Sequence, residues 1–340
     1  MAIPKISIVA VGRNDNYGGD FKTRLELFVN WTHKQLERNE IFSEIIFVNY
    51  NPVEGVPIEK FINWPKSTDK VRVRILTVSP LIHETMVNSL GIKNVPVVEY
   101  LAKNIGIRRA EGEFILAANP DILLSESLFP KLKNLSPSTY YRVNRLDYDG
   151  EFNPNSSKSL YSQLGQHVSA IWFSGSHSTV ANFSMKTYYK KWFSKRLENL
   201  WRRNTVHLEK SLNYWSIPVY YHNIEYRYHL NASGDFMLMH RQAWHRLKGY
   251  KENSRIALHV DSLMVLQAAF SGLKEHVFLD PIYHRQHERR YDAIKKQSDD
   301  QTEVYEYYKR DAKQMNLNRK PIIYNTDDWG LAGIELHHSD

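Results

Sequence analysis

The sequence predicts an α/β protein built on an open, mainly parallel sheet flanked by helices, and three patterns predict it. Short apolar runs such as Ile6 to Val11 and Phe114 to Ala118 have the length and composition of buried strands. Each empties into a loop rich in Asn, Asp or Gly, residues that turn a chain after a strand. Between the runs lie stretches with helical periodicity, and strands alternating with helices build a parallel sheet. The chain has 340 residues, 42% of them hydrophobic and 13% aromatic, enough for one large domain or two small ones and too apolar for a disordered or collagenous chain.

The elements follow in order. ISIVAV is a buried strand with the loop GRNDNYGGD behind it. KTRLELFVNWTHKQLERN places Leu25, Phe28, Val29, Thr32 and Leu36 on one helical face. EIIFVNYNP is a second strand and turn. VRVRILTV sets Val71, Val73 and Ile75 against Arg72 and Arg74 with the period of two of a strand. A helix is expected to open near Asn94-Val95-Pro96, with Val98, Leu101, Ala102 and Ile105 as its apolar stripe, Arg108 and Arg109 in its last turn and Gly112 as its stop. FILAA is the next strand and runs directly into Asn119-Pro120-Asp121.

The polar residues cluster at strand exits. Asn14 and Asp15 follow the first strand, Asn49 and Asn51 the second, and Asn119 and Asp121 the strand FILAA. In an open parallel sheet these exits share the carboxyl edge, where ligands bind. The composition narrows the ligand. Forty-five Lys and Arg against 37 Asp and Glu give a net charge of +8, suited to anionic small molecules, phosphoryl groups or an acidic lipid surface. These charges are spread along the chain, so nucleic acid is not the expected partner. There is no cysteine, which excludes disulfides, thiolate metal sites and cysteine nucleophiles. GxGxxG, GxxxxGK[ST] and GxSxG are all absent. A nucleotide can still be held where a carboxylate at a strand end binds a divalent cation and the cation binds a diphosphate. No run approaches eighteen apolar residues, and MAIPKISIVAV passes straight into a strand, so a cytoplasmic protein is expected.

At this point the residues resemble a family. VEYLAKNIGIRRAEGEFILAANPDILLS is similar to the segment of GT-A glycosyltransferases, the family-2-like inverting group, that joins a helix, an Ala-x-Gly-Glu turn, a strand and an Asp-x-Asp. ASGDFMLMHRQAWHRLKGY resembles that family's acceptor-side strand and Gly-Tyr exit, and HVDSLMVLQAAFSGL its helix opening on the catalytic acid. The resemblance implies a GT-A catalytic domain over 1–290, with a nucleotide-sugar-binding half (1–125), an aromatic-basic insertion (150–230) and an acceptor half (231–290), followed by a helical extension and tail (291–340). It implies inverting transfer of a sugar from a nucleotide diphosphate sugar to a saccharide or lipid-linked saccharide, as in polysaccharide biosynthesis.

The residue roles follow from the same resemblance. Asp261 is the general base, its competing role being a helix cap. Asp121 anchors the metal or diphosphate, and His284 reaches the same group, with Mn²⁺ or Mg²⁺ as the cation. His287 lies three residues on, but an HxxH zinc site lacks a third ligand nearby in sequence. Val11, Arg13, Asn14, Asn49, Asn51, Lys103, Asn104, Arg108 and Asn119 are the donor-side candidates, Arg109 reads as a solvated helix end, and Asp235 faces the acceptor. The chain departs from the family at Asn119-Pro120-Asp121, where an amide replaces one carboxylate and weakens the pull on a cation. Two other functions stay open: a nucleotide-sugar-binding protein without transfer, and a nucleic-acid-binding protein.

In the insertion, Tyr188, Tyr189, Trp192, Phe193 and Trp201 interleave with Lys186, Lys190, Lys191, Lys195, Arg196, Arg202 and Arg203. The pattern suits a saccharide acceptor, a peripheral contact with a lipid headgroup surface, single-stranded nucleic acid, or an amphipathic helix with its aromatics inward. NTDDWGLAGIELHH is too apolar for a loose end. It either folds over the active-site cleft or docks as a structural tail.

Overall fold

The computed structural model describes residues 3–91, 95–212, 227–253, 257–287 and 299–339, with the backbone alone for 202–212 and 299–305. The first half of the chain runs β1 (Ile6–Gly12), α1 (Phe21–Arg38), β2 (Ser43–Tyr50), α2 (Ile58–Phe61), β3 (Val71–Val78), α3 (Pro80–Leu90), α4 (Glu99–Arg109), β4 (Phe114–Ala118), β5 (Ile122–Leu124) and β6 (Thr139–Tyr148). The second half runs α5 (Leu160–Leu164), β7 (Val168–Phe173), β8 (Ser176–Thr179), α6 (Met185–Leu212), β9 (Phe236–His240), α7 (Arg241–Leu247), α8 (Val260–Phe270), β10 (Lys274–Arg285), α9 (Asp299–Asn318) and β11 (His337–Ser339).

One 11-stranded sheet has the order β11-β3-β2-β1-β4-β9-β6-β10-β5, with β7 on β6 and β8 on β7. The ladders β1–β2, β1–β4, β2–β3 and β6–β10 are parallel. Antiparallel β9 joins the two parallel groups by pairing with both β4 and β6. The expected α/β class therefore holds. Alternation along each strand divides the core into two faces. Ile6, Ile8 and Ala10 of β1 pack with Phe21, Leu25 and Phe28 of α1. Val9 and Val11 pack on the other face with Leu101 and Ile105 of α4 and with α8.

Helix α4 lies very close to the sheet. A Cβ on Gly106 would sit 2.4 Å from Val9 Cγ1 and 3.0 Å from Val48 Cγ2. Overpacking of about 1–3 kcal/mol should outweigh the helix-propensity gain of about 1 kcal/mol, so Gly106→Ala is expected to lower the urea midpoint of unfolding without changing its slope. The helix opens at Glu99 rather than near Asn94, which lies outside the described residues. Pro96 keeps Val95 out of helical conformation, and Val98, at ψ 86°, is still non-helical. The sequence reading assigns no element to α3. Yet Ser79 accepts from Ile82 N, Pro80 occupies the first turn and Gly91 closes the helix at φ 62°, which is a complete set of helix boundary signals.

The C-terminal tail is docked. Strand β11 extends the sheet antiparallel to β3, with His337 opposite Thr77. Arg108 donates to Trp329 O (3.0 Å) and stacks on its ring, while Arg109 donates to Gly330 O (2.7 Å), Leu331 O (2.7 Å) and Ile334 O (2.8 Å). Arg109 is thus a tail anchor and not a solvated helix end. Glu252 Oε1 accepts from Asn104 Nδ2 (2.8 Å) and Gly330 N (2.7 Å). Burial pushes this carboxyl up from an ordinary 4.5 to about 7, against those two hydrogen bonds. A raised acid binds its proton more tightly when folded, so stability is lost as pH rises through that window. Glu252→Gln keeps the acceptor and removes the charge. It should flatten the fall in melting temperature between pH 5 and pH 8 and add up to about 3 kcal/mol at the alkaline end.

Candidate active site

Strand register assembles the first half of the site. Strand β5 starts directly after Asp121 and pairs antiparallel with β10, setting His284 opposite Ile122. Arg285 N donates to Asp121 O (3.0 Å) and locks the crossing. On its other side β10 runs parallel to β6, with His284 opposite Asp147. Asp121, His284 and Asp147 are therefore neighbours across three strands. His284 Nε2 lies 3.6 Å from Asp121 Oδ2, and its Nδ1 lies 3.3 Å from Asp147 Oδ1. Just past the end of β10, His287 Nε2 lies 3.0 Å from the same Asp121 oxygen. Arg24 of α1 approaches that oxygen to 3.7 Å while bonding Asp20 Oδ1 at 2.6 Å and the carbonyl of Tyr17.

One ligand atom from each of Asp121, His284 and His287 can be chosen so that all lie within 4.8 Å of one another. The third group beside the HxxH pair that could serve as a ligand is thus Asp121, distant in sequence and adjacent in space. Asp121 Oδ1 is buried and has no hydrogen-bond partner among the described residues. An orphaned carboxylate oxygen beside two imidazoles fits a divalent cation. Burial opposes ionisation of Asp121, but charge attraction and hydrogen bonds from His284 and His287 outweigh it and hold the carboxyl well below the usual range. Burial likewise disfavours protonation of His284, and Asp121 overcomes it, raising the imidazole to about 9. Asp147 is held low as well: burial is outweighed by hydrogen bonding from His284 and the charge of Arg145.

A buried polar path leads from this cluster to the second half of the site. Arg145 of β6 pairs with Asp147 (2.8 Å) and donates to Asp235 Oδ2 (2.7 Å). Trp172 of β7, directly across from Arg145, donates from Nε1 to Asp147 Oδ2 (2.7 Å). Asp235 Oδ1 accepts from Asn119 Nδ2 (2.8 Å), and Asn119 Oδ1 accepts from Lys103 Nζ (2.7 Å). Lys103, 1% exposed, also donates to Glu99 Oε1 (3.0 Å) and Gly234 O (2.8 Å). Asp261 grips the same turn: its Oδ2 accepts from Ser233 Oγ and Gly234 N, both at 2.7 Å. Asp261 Oδ1 accepts from Ser262 N (2.9 Å). Asp261 is the second residue of α8, and the cap position belongs to His259 at φ 65°, so the competing cap role is not the one it occupies.

The remaining candidates divide. Val11 is buried in β1. Arg13 Nε donates to Asn51 O (2.5 Å), and Asn51 Nδ2 to Pro96 O (2.9 Å). Asn14 ties down the following loop, donating to Val53 O (2.9 Å) and Val56 O (3.0 Å) and accepting from Val53 N (2.7 Å). Asn49, in register with Gly12, is buried with Oδ1 lacking a partner among the described residues. These five sit at the exits of β1 and β2, beside the central cluster's edge of the sheet. Asn104 is spent on the scaffold, bonding Tyr250 O (2.7 Å), Tyr250 N (2.8 Å) and Glu252, as Arg108 is spent on the tail. Arg24, Arg145, Asp147 and Trp172 escape the sequence reading. Within RVNRLDY the charges at 142, 145 and 147 are all buried in strand β6 and so demand partners, but that burial is visible only in the fold.

No family model matches the chain, and no curated protein matches it. Among solved structures it is similar to GalNAc-T7 crystallised with UDP, GalNAc and Mn²⁺, at 12% identity over 84% of this chain and 44% of that one, with a TM-score of 0.44. It is also similar to the catalytic domain of Drosophila β1,4-galactosyltransferase 7 with xylobiose, at 11% identity over 81% of this chain and 65% of that one, with a TM-score of 0.34. Both are glycosyltransferases of the GT-A fold. This chain spans less than two thirds of either.

Proposed function

We propose that the chain is an inverting glycosyltransferase, moving a sugar from a nucleotide diphosphate sugar to a hydroxyl of a saccharide or lipid-linked saccharide. The observation that carries the reading is the convergence of Asp121, His284 and His287 at a strand exit, joined by an unbroken polar path to Asp235 and Asp261. Asp121 and the two histidines would hold a divalent cation. Two imidazoles and one carboxylate suit Mn²⁺ better than Mg²⁺, which prefers oxygen ligands throughout. Such a cation neutralises the charge on a departing diphosphate.

The chain's own residues do the rest. Asp261 takes the proton of the attacking hydroxyl on Oδ1, the oxygen that Ser233 and Gly234 do not engage and that accepts from Ser262 N. Lys103 fixes the Ser233–Gly234 turn from the opposite side and so orients that carboxylate. Asp235, held by Asn119 and Arg145, presents a fixed carboxylate on the acceptor side. The exits of β1 and β2, with the orphaned Asn49 oxygen, form the nucleotide side.

The amide of Asn119, standing where the family has a carboxylate, favours one rival, binding of a nucleotide sugar without transfer. Release of the nucleotide diphosphate from a donor in the presence of saccharide acceptors separates the two. The reading as a whole is tested by a thermal-shift panel of nucleotide sugars with and without Mn²⁺. One donor class should raise the melting temperature by a few degrees, and further with Mn²⁺. Stabilisation by a randomised oligonucleotide and by no nucleotide sugar would contradict it.

A further inference from the structure

Helix α6 carries its apolar residues on the wrong side. One face is packed inward: Tyr188 is fully buried, accepts from Asn144 Nδ2 (2.8 Å) and donates to Leu279 O (2.9 Å), and Asn199 is buried further along. The opposite face, where an amphipathic helix ordinarily turns polar residues to water, carries Tyr189, Phe193, Leu197 and Leu200. These recur at the three- and four-residue spacing of one helical stripe and are 42%, 59%, 52% and 44% exposed. Only the inward aromatics therefore follow the buried amphipathic pattern. Arg202 and Arg203, part of the same basic run, have side chains outside the described residues.

Charge says what the stripe meets. Lys186, Lys190, Lys191, Lys195 and Arg196 accompany it, against Glu198 alone among the acids of residues 185–201. Glu198 is already paired with Lys195 at 2.7 Å. A second copy of this chain would bring like charges together across the stripe, which opposes self-association. Leu197 and Leu200 cannot stack on nucleobases, so the mixed aliphatic and aromatic surface does not suit single-stranded nucleic acid. Aliphatic and aromatic side chains beside a lysine-rich flank do suit the boundary between anionic headgroups and acyl chains. Among the described residues no helix is long and apolar enough to cross a membrane, so the contact is with its surface.

We propose that the outer face of α6 docks on an anionic lipid bilayer, with Phe193 and Leu197 entering the acyl boundary and the exposed Lys186, Lys190 and Arg196 meeting the headgroups. The proposal does not depend on the transfer reaction. It does place the bilayer beside β6, because Tyr188 anchors α6 to Asn144 on the strand that carries Arg145 and Asp147.

The test is co-sedimentation of the full chain with phosphatidylcholine vesicles, with and without phosphatidylglycerol. Binding should require phosphatidylglycerol and weaken as salt rises. Lys186→Gln with Lys190→Gln and Arg196→Gln should lower affinity about fivefold per charge removed, or about 100-fold together. Phe193→Ser with Leu197→Ser should lower it about tenfold or more. Both sets replace outward-facing side chains, and circular dichroism melting checks that the fold is kept. A control removing as many exposed lysines elsewhere, Lys60→Gln, Lys66→Gln and Lys133→Gln, should bind as the parent does. Equal binding to neutral vesicles, no binding at low salt, equal loss in the control, or a dimer that disappears with Phe193→Ser and Leu197→Ser would each overturn the proposal.

Discussion

Asp261→Asn is expected to leave donor affinity within about twofold of the parent and to lower turnover by about 10²- to 10⁴-fold, the range removed with a general base. The variant should fold. An asparagine oxygen can still accept from Ser233 Oγ and Gly234 N, the two bonds that fix the turn. What is lost is the ability to take a proton, together with the bond from Ser262 N to the other oxygen. Rapid-quench turnover and equilibrium donor binding, measured on the same preparation, separate this from a structural defect, which would weaken both together. Parent-like turnover in Asp261→Asn would remove the residue from the mechanism. Loss of donor binding would instead show that its role is to shape the turn that Lys103 also holds.

Asp121→Asn should have the other large effect, and on binding. The substitution removes the one carboxylate among the three candidate ligands and the counter-charge shared by His284, His287 and Arg24. Affinity for Mn²⁺ together with a nucleoside diphosphate is expected to fall by roughly 100-fold or more, since even outer partners of metal ligands are worth about 10- to 100-fold. Stability should fall too, by about 3 kcal/mol or more, because breaking a buried ion pair leaves charge uncompensated. Titration calorimetry with Mn²⁺ and a nucleoside diphosphate, beside chemical denaturation, reads the two effects separately. Unchanged binding in a destabilised variant would make Asp121 a purely structural hub.

The parts of the fold written in local patterns were legible. Buried strands β1, β2 and β4 announce themselves as short apolar runs, and β3 by alternation, because each must bury one or both faces. Helix α4 was legible in its stripe and its end, but its start depends on Pro96 and on packing. The site was legible beside strand ends and, for Asp261 and His284, through the family resemblance. Asp121 and Asp235 sit beside β5 and β9, so their placement comes with the strand. Arg145 and Asp147 face the site because β6 lies parallel to β10 in one particular register, which nothing near them in sequence specifies. Asn104 and Arg108 show the converse. A polar residue on a helix beside a ligand edge looks available, yet these two are claimed by Tyr250 and Trp329 across long stretches of chain. His287 needed the fold most, since its nearest carboxylate, Asp121, lies far away in sequence and 3.0 Å away in space.

The central claim is that a diphosphate and its cation bind where Asp121, His284 and His287 meet. Crystals grown with Mn²⁺ and a nucleoside diphosphate, with data collected at the manganese edge, test it most directly. An anomalous peak is expected in contact with an Asp121 oxygen and at least one of the two imidazoles, with the diphosphate on its far side and the base toward Asn49 and Asn51. A diphosphate bound elsewhere, with Asp121 still joined to His287 and no manganese between them, would contradict it.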